Sequence, residues 1–193
     1  MTIVPLPYEI AHCSSWDDEY SPQELVSSSP GNRQLNQASR SDDEDDQPAN
    51  NKIKGWQTPK CPNYPQDLII HLLCGPAHIS KVQVLSHHYK IATKIDVYVG
   101  VLKDSSEPLE EHLPESPPHT DSDTTEGDML IEFTRLGYVC LDNNARAQFR
   151  ARELKSIKVN VDGEYIRLVV RNCHRNRLNT YNQASQSIQI FIL

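Results

Sequence analysis

The feature that most constrains this chain is a strict two-residue alternation in its last third. Ile157, Val159 and Val161 alternate with Lys158 and Asn160, and Ile166, Leu168 and Val170 alternate with Arg167 and Arg171. Period two places the apolar side chains of each run on one face, as in a half-buried β-strand. Asp162-Gly163 stands between the runs, and Asp-Gly readily adopts the positive φ values of a type I′ turn. The pattern predicts a hairpin, and with it antiparallel sheet with one face buried. A polar loop, Cys173 to Gln183, then leads to a last strand carrying Ile188, Ile190 and Ile192.

The same period recurs upstream. Val82 and Val84 mark a strand over 79–86, Ile95, Val97 and Val99 one over 94–101, and Leu136, Tyr138 and Cys140 one over 133–141. Leu68 to Cys74 is nearly continuous in apolar residues, which predicts a strand buried on both faces or at a sheet centre. Ile3 to His12 reads as an edge strand, because Pro5 and Pro7 cannot donate to a ladder. Trp56 reads as a packing anchor. Gly75-Pro76 and Asp142-Asn143-Asn144 are turns, and His87 to Thr93 is too short for an ordinary helix. Seven or eight short strands without a long helix or a repeat predict a β-sandwich, with jelly-roll wiring as the subtype.

Charge separates this frame from its insertions. Residues 52–103 hold two acids and seven bases, and residues 129–193 hold five acids and ten bases. Residues 104–128 hold nine acids and no base, and residues 27–51 put five acids into Asp42 to Asp46. Segments 21–51 and 104–128 lack any apolar period that could offset chain entropy, so both are expected to be disordered acidic insertions in a single domain spanning 1–193. No apolar run is long enough to span a membrane, and the N-terminus lacks the features of a signal peptide. Five scattered cysteines without a CxxC pair read as reduced thiols of a cytosolic protein.

Chemistry is sparse. His71-x2-Cys74-x3-His78 has loosely finger-like spacing, but residues three apart on a strand point to opposite faces, so no metal site is expected. Phosphate loop, GxSxG elbow and HExxH helix are all missing, and Cys74 and Cys140 read as buried structural thiols. No catalytic residues and no cofactor are assigned. Candidate binding residues fall in three loops: His87, His88 and Tyr89; the basic Arg146, Arg150 and Arg152; and Asn179, Tyr181, Asn182 and Gln183. The basic run could suggest nucleic acid, but the chain carries a net charge of −7 and a solvated strand entry explains the run.

Five stretches in order carry a resemblance. These are Gly55-Trp56 with Thr58-Pro59 and Tyr64 to Ile69; His88-Tyr89 with Lys94-Ile95 and Tyr98; Arg135 to Val139; Ala151 to Ser156; and Asn179 to Gln183. Together they resemble the N-terminal jelly-roll domain of the centrosomal protein of 104 kDa, a ciliary-tip and centriole family. The resemblance implies a galactose-binding-like sandwich without enzyme activity, located in cytoplasm, centrosome or centriole and cilium. It implies centriolar or ciliary-tip proteins as partners in cilium assembly or centriole organisation. Nucleic acid and membrane are not expected as partners. Tubulin is not expected either, because the family's tubulin-binding array lies outside this stretch. The alternative is a small-ligand or glycan-binding sandwich using Tyr89, Asn179, Tyr181 and Asn182 at the loop end.

Overall fold

The alternating runs lay their apolar parities on one shared core. The computed structural model describes residues 4–28, 55–103 and 130–192; the acidic insertions beyond those limits lie outside the described residues. Within them are ten strands: β1 (Val4–Pro5), β2 (Tyr8–Cys13), β3 (Trp56–Gln57), β4 (Gln66–Leu72), β5 (Ala77–Ser86), β6 (Ala92–Lys103), β7 (Leu130–Cys140), β8 (Leu154–Gly163), β9 (Tyr165–Cys173) and β10 (Ser185–Ile192). One helix, α1 (Gln23–Ser28), joins them. The first sheet runs β1-β10-β5-β8, with β3 also paired to β10; the second runs β2-β4-β9-β6-β7. All pairings are antiparallel.

The two sheets face each other through one parity of each central strand. Leu68, Ile70 and Leu72 of β4, Ile95 and Val97 of β6, and Ile166 and Leu168 of β9 are buried from the second sheet. Ile79, Val82 and Val84 of β5 and Ile188 and Ile190 of β10 meet them from the first. Trp56 is buried as expected, and its indole N–H donates to the Ser15 carbonyl at 3.0 Å. The N-terminal stretch does supply edges, but two of them: after Pro7 the chain leaves the first sheet as β1 and joins the second as β2.

The expected hairpin is not there. Among the described residues β8 pairs only with β5, and β9 lies between β4 and β6 in the opposite sheet. Asp162-Gly163 is therefore a crossing between sheets. Gly163 is not among the positive-φ glycines, Gly75 and Gly137, of the described residues. It is glycine for want of space: a Cβ there would collide with the Val99 side chain. The crossing is tied to the second sheet by the Glu164 N–H, which donates to the Gly100 carbonyl at 3.0 Å. The Leu72 N–H donates in turn to the Glu164 carbonyl at 2.9 Å. Local alternation is the same for a hairpin and a crossing; long-range pairing decides between them.

Four further expectations are corrected. β4 lies inside the second sheet between β2 and β9, in line with the sheet-centre alternative, but it is not buried on both faces, because Ile69 and His71 on the other parity are half-buried and Leu73 and Cys74 are exposed beyond the strand's end. In β7 the register shifts opposite Val97 and Tyr98, and Gly137 sits on that bulge with φ 154°. The extra residue flips parity, so Leu136 and Val139 pack on the core while Tyr138 and Cys140 face outward. Both Cys74 and Cys140 are thus exposed thiols; the buried one is Cys173. Finally, residues 23–28, assigned to the first insertion, form α1, whose Leu25 is buried beside Tyr8.

The crossing gives a direct test. Gly163→Ala should destabilise the fold by about 1–3 kcal/mol through overpacking. Added to Val99→Ala, which removes the colliding methyl, it should cost distinctly less, and the coupling is read from a double-mutant cycle of denaturant titrations. Leu168→Ala should cost about 2–5 kcal/mol as a buried truncation, whereas Arg167→Ala on the outer parity should cost much less.

A polar cleft at the loop end of the sandwich

The two sheets leave one end open, and the loops that close it build a cleft. Residues 14–20, 55–61, 87–91, 151–153 and 174–184 converge there because each joins strands of opposite sheets or enters one from a loop. The convergence is hydrogen-bonded. The Asp17 N–H donates to Gln57 O at 2.8 Å, the Ser185 N–H to Lys90 O at 2.8 Å, and the Ser86 N–H to Glu153 O at 2.8 Å. Asn144 secures the basic loop by donating its side-chain amide to Ala151 O at 2.7 Å and His88 O at 3.2 Å.

The cleft has two chambers that share Tyr20, Gln57, Tyr89 and Lys90. The outer chamber, of about 720 Å³, is rimmed by Trp16, Leu178 and Tyr181. These large apolar side chains remain 47%, 49% and 50% exposed. The Lys60 ammonium lies over the Tyr181 ring at 5.1 Å. The inner chamber, of about 270 Å³, reaches toward the core between the ends of β5 and β10. Its floor is polar because Ser86 and Gln186 continue the inward parities of Val84 and Ile188.

The sequence candidates distribute unevenly over this cleft. His87, Tyr89 and Arg152 line the inner chamber, and Tyr89, Asn179, Tyr181 and Gln183 the outer one. His88 packs edge-on to His87 at 5.0 Å between ring centres without lining either chamber. Arg146 and Arg150 are exposed on the adjoining loop and line neither. Asn179 spends its amide within the loop, donating to Gln183 O at 2.8 Å and accepting from the Gln183 N–H at 2.9 Å. Gln183 donates to Thr58 O at 3.0 Å, and the Asn182 carbonyl accepts from the Tyr64 hydroxyl at 2.9 Å. The Asn179 and Gln183 side-chain amides and the Asn182 backbone carbonyl hold the wall. Tyr181 and Tyr89 present side chains to the cleft.

Titratable groups in and under the cleft are set by burial. Burial, with the charges of His88, Lys90 and Arg152, pushes the His87 imidazole down to about 4, so it is neutral at physiological pH. Burial also lowers the Lys90 ammonium from its ordinary value against the pull of Asp17, and its Nζ donates to Gln57 Oε1 at 2.7 Å. Burial pushes the Cys173 thiol up to about 11, and the thiol donates to the Gln183 carbonyl at 2.9 Å. A thiol held protonated in this way is not an activated nucleophile. Among the described residues no three metal-ligating side chains converge; His71 is engaged by Glu9 and Glu164, and His78 by Asp162 and Asn160.

Charge is concentrated a second time on the outer face of the second sheet. Asp96 is 1% exposed, covered by the cations it holds: Arg135 at 2.8 Å, Lys94 at 3.6 Å, and Arg171. Burial alone would push the Asp96 carboxyl up, but the hydrogen bonds from Arg135 and Arg171, with the charges of Arg171 and Lys94, hold it below its ordinary value. Lys94 lies over the Tyr138 ring at 4.3 Å, and Arg167 pairs with Asp67 at 2.7 Å. Sequence reasoning did not single out this network. Its signal was the outward parity Lys94-x-Asp96-x-Tyr98 opposite Ile95 and Val97.

The architecture defines the class. The chain is similar in fold to a family 32 carbohydrate-binding module of Clostridium perfringens NanJ in complex with galactose, with TM-score 0.55 at 10% identity over 99% of this chain and 100% of that one. A family 32 module from a C. perfringens family 31 glycoside hydrolase gives TM-score 0.57 at 12% identity over 96% and 90%. XRCC1 bound to the DNA polymerase β catalytic domain gives 0.54 at 10% over 97% and 98%. This is an all-β, galactose-binding-like jelly-roll sandwich.

Family is shown by sequence. The model of the centrosomal protein CEP104 N-terminal domain matches residues 55–191, and the chain belongs to that family. Mouse and human centrosomal protein of 104 kDa are each 32% identical over 133 residues, covering 69% of this chain and 12% of those proteins. The chain thus spans about an eighth of the length of the curated relatives it matches. The family is named for a centrosomal protein, not for an enzyme.

One ion-pair cluster on the second sheet yields a pH prediction. The hydrogen bond that His71 donates to Glu9, outweighing burial, and a second that it donates to Glu164 raise His71 above its ordinary 6.5, while Tyr165 stacks on its ring at 4.7 Å between ring centres. A raised folded-state value contributes stability that is fully present below the unfolded value and lost as pH rises through the folded one. His71→Gln should therefore lower stability more at about pH 5.5 than at about pH 9, measured by thermal melts of both proteins. An equal loss at both pH values would mean that only packing is involved.

Proposed function

We propose that this domain is a non-enzymatic protein-interaction module that docks a centriolar or ciliary-tip protein in its loop-end cleft, serving cilium assembly or centriole organisation. The observation that carries this reading is the outer chamber, where Trp16, Leu178 and Tyr181 stand half-exposed around one concavity. Large aromatic and aliphatic side chains grouped on an otherwise polar surface are the anchors that dominate protein–protein association. Family membership directs the expected location to the centrosome, and by extension to cytoplasm and cilium. Nucleic acid, membrane and tubulin are not proposed as partners.

A glycan reading rests on the same exposed aromatics. Galactose should leave the melting temperature unchanged under the protein-docking reading and raise it under the glycan reading. The docking reading itself is tested by proximity labelling of the full chain in ciliated cells, beside a Trp16→Ala/Tyr181→Ala variant. The intact chain should label centriolar or ciliary-tip proteins, and the variant should lose at least about nine-tenths of that signal while keeping its melting temperature. Equal labelling by both chains, or a diffuse cytoplasmic pattern from the intact one, would overturn the reading.

A further inference from the structure

The inner chamber carries an inference beyond docking in general. Four buried polar atoms around it have no hydrogen-bond partner among the described residues: Ser86 Oγ, His87 Nδ1, and both Nε2 and Oε1 of Gln186. Ser86 and Gln186 are 1% and 2% exposed, so bulk water does not solvate them. Buried polar groups are paired in native structures, and an amide with both ends unpaired calls for a donor and an acceptor together. Charge narrows the choice. Among the described residues no acidic side chain lines this chamber, whereas Arg152 and Lys90 both do. Arg152 has no ion-pair partner among the described residues. Asp17 and Glu19 face Lys90 from the outer chamber, leaving the inner one net positive. His87 is neutral and adds no charge, so its Nδ1 can serve as donor or acceptor.

We infer that the inner chamber is a socket for one acidic residue of an extended peptide. The carboxylate sits against Arg152, Lys90 and the Ser86 hydroxyl, and the peptide's backbone amide pairs with Gln186. A guanidinium fork suits a planar carboxylate, and the two ends of the Gln186 amide match the C=O and N–H of a peptide unit. The volume of about 270 Å³ lies just below the range of drug-sized sites, so it admits a side chain rather than an oligosaccharide. The inference deepens the docking reading by naming the chemistry of the docked segment.

The probe is a single capped residue, N-acetyl-glutamate N-methylamide, titrated into the full chain and followed by NMR. Saturable shifts of the Gln186 side-chain amide and the Arg152 Nε–H are expected. The capped glutamine analogue should bind at least about tenfold more weakly, because it lacks the charge. A capped phosphoserine arm separates a carboxylate socket from a general oxyanion site; tighter binding of phosphoserine would overturn the carboxylate assignment. Arg152→Glu, at an exposed rim position, should abolish the glutamate shifts without lowering the melting temperature. Equal binding of glutamine and glutamate, shifts mapping elsewhere, or no saturation by tens of millimolar would overturn the socket. Because the probe never meets Trp16 or Tyr181, its result is independent of whether the outer chamber docks a protein.

Discussion

Between Asp162 and Tyr165 the chain leaves one sheet and enters the other, and at Gly163 it does so with the Val99 side chain occupying the place of a Cβ. That close approach sets the spacing of the sheets at one end. It aligns β8 with β5 and hands β9 to the slot between β4 and β6. Once β9 is central, its inward residues Ile166, Leu168 and Val170 must meet the core, and its outward arginines must face solvent. The opposite end is left to loops, because consecutive strands that lie in different sheets need connections that span the sandwich. The cleft is a consequence of that wiring.

The molecule handles charge differently in its two charged regions. On the second sheet's outer face, Asp96 and Asp67 answer the cations around them, and the aromatic rings of Tyr138 and Tyr98 take cation contacts as well. That face is matched within itself and adds register to β6, β7 and β9, the strands it ties together. In the inner chamber of the cleft, cations and an amide meet without a matching anion among the described residues. The proposed docking of an acidic partner rests on that difference.

Much of the fold was legible because core parity is written locally. The runs around Val82, Ile95, Ile166 and Ile188 gave their strands directly, and the buried Trp56 followed from its residue type. What was lost depended on partners distant in sequence. Asp162-Gly163 has the chemistry of a turn, and only Val99 and the pairing with β5 make it a crossing. The bulge at Gly137 flipped β7, so a correct alternation was assigned to the wrong face. Helix α1 did have a signal, the capping pattern Ser21-Pro22-Gln23-Glu24, but it is too short for a 3.6-residue period to show. In the cleft, His87, Tyr89, Arg152 and Tyr181 were readable as loop residues with recognition chemistry. Ser86 and Gln186 were readable too, as polar residues continuing the core parity of Val84 and Ile188, although nothing local said that the chamber opens above them.

Under the proposed docking role the loop end, and not the charged sheet face, is the working surface. A photo-crosslinking residue placed at Tyr181 in one chain and at Tyr138 in another samples the two surfaces under the same cellular conditions; both side chains are exposed, at 50% and 58%. Adducts to centriolar or ciliary-tip proteins should form from position 181 and not from position 138. Adducts from position 138 alone would contradict the account and move the working surface to the sheet.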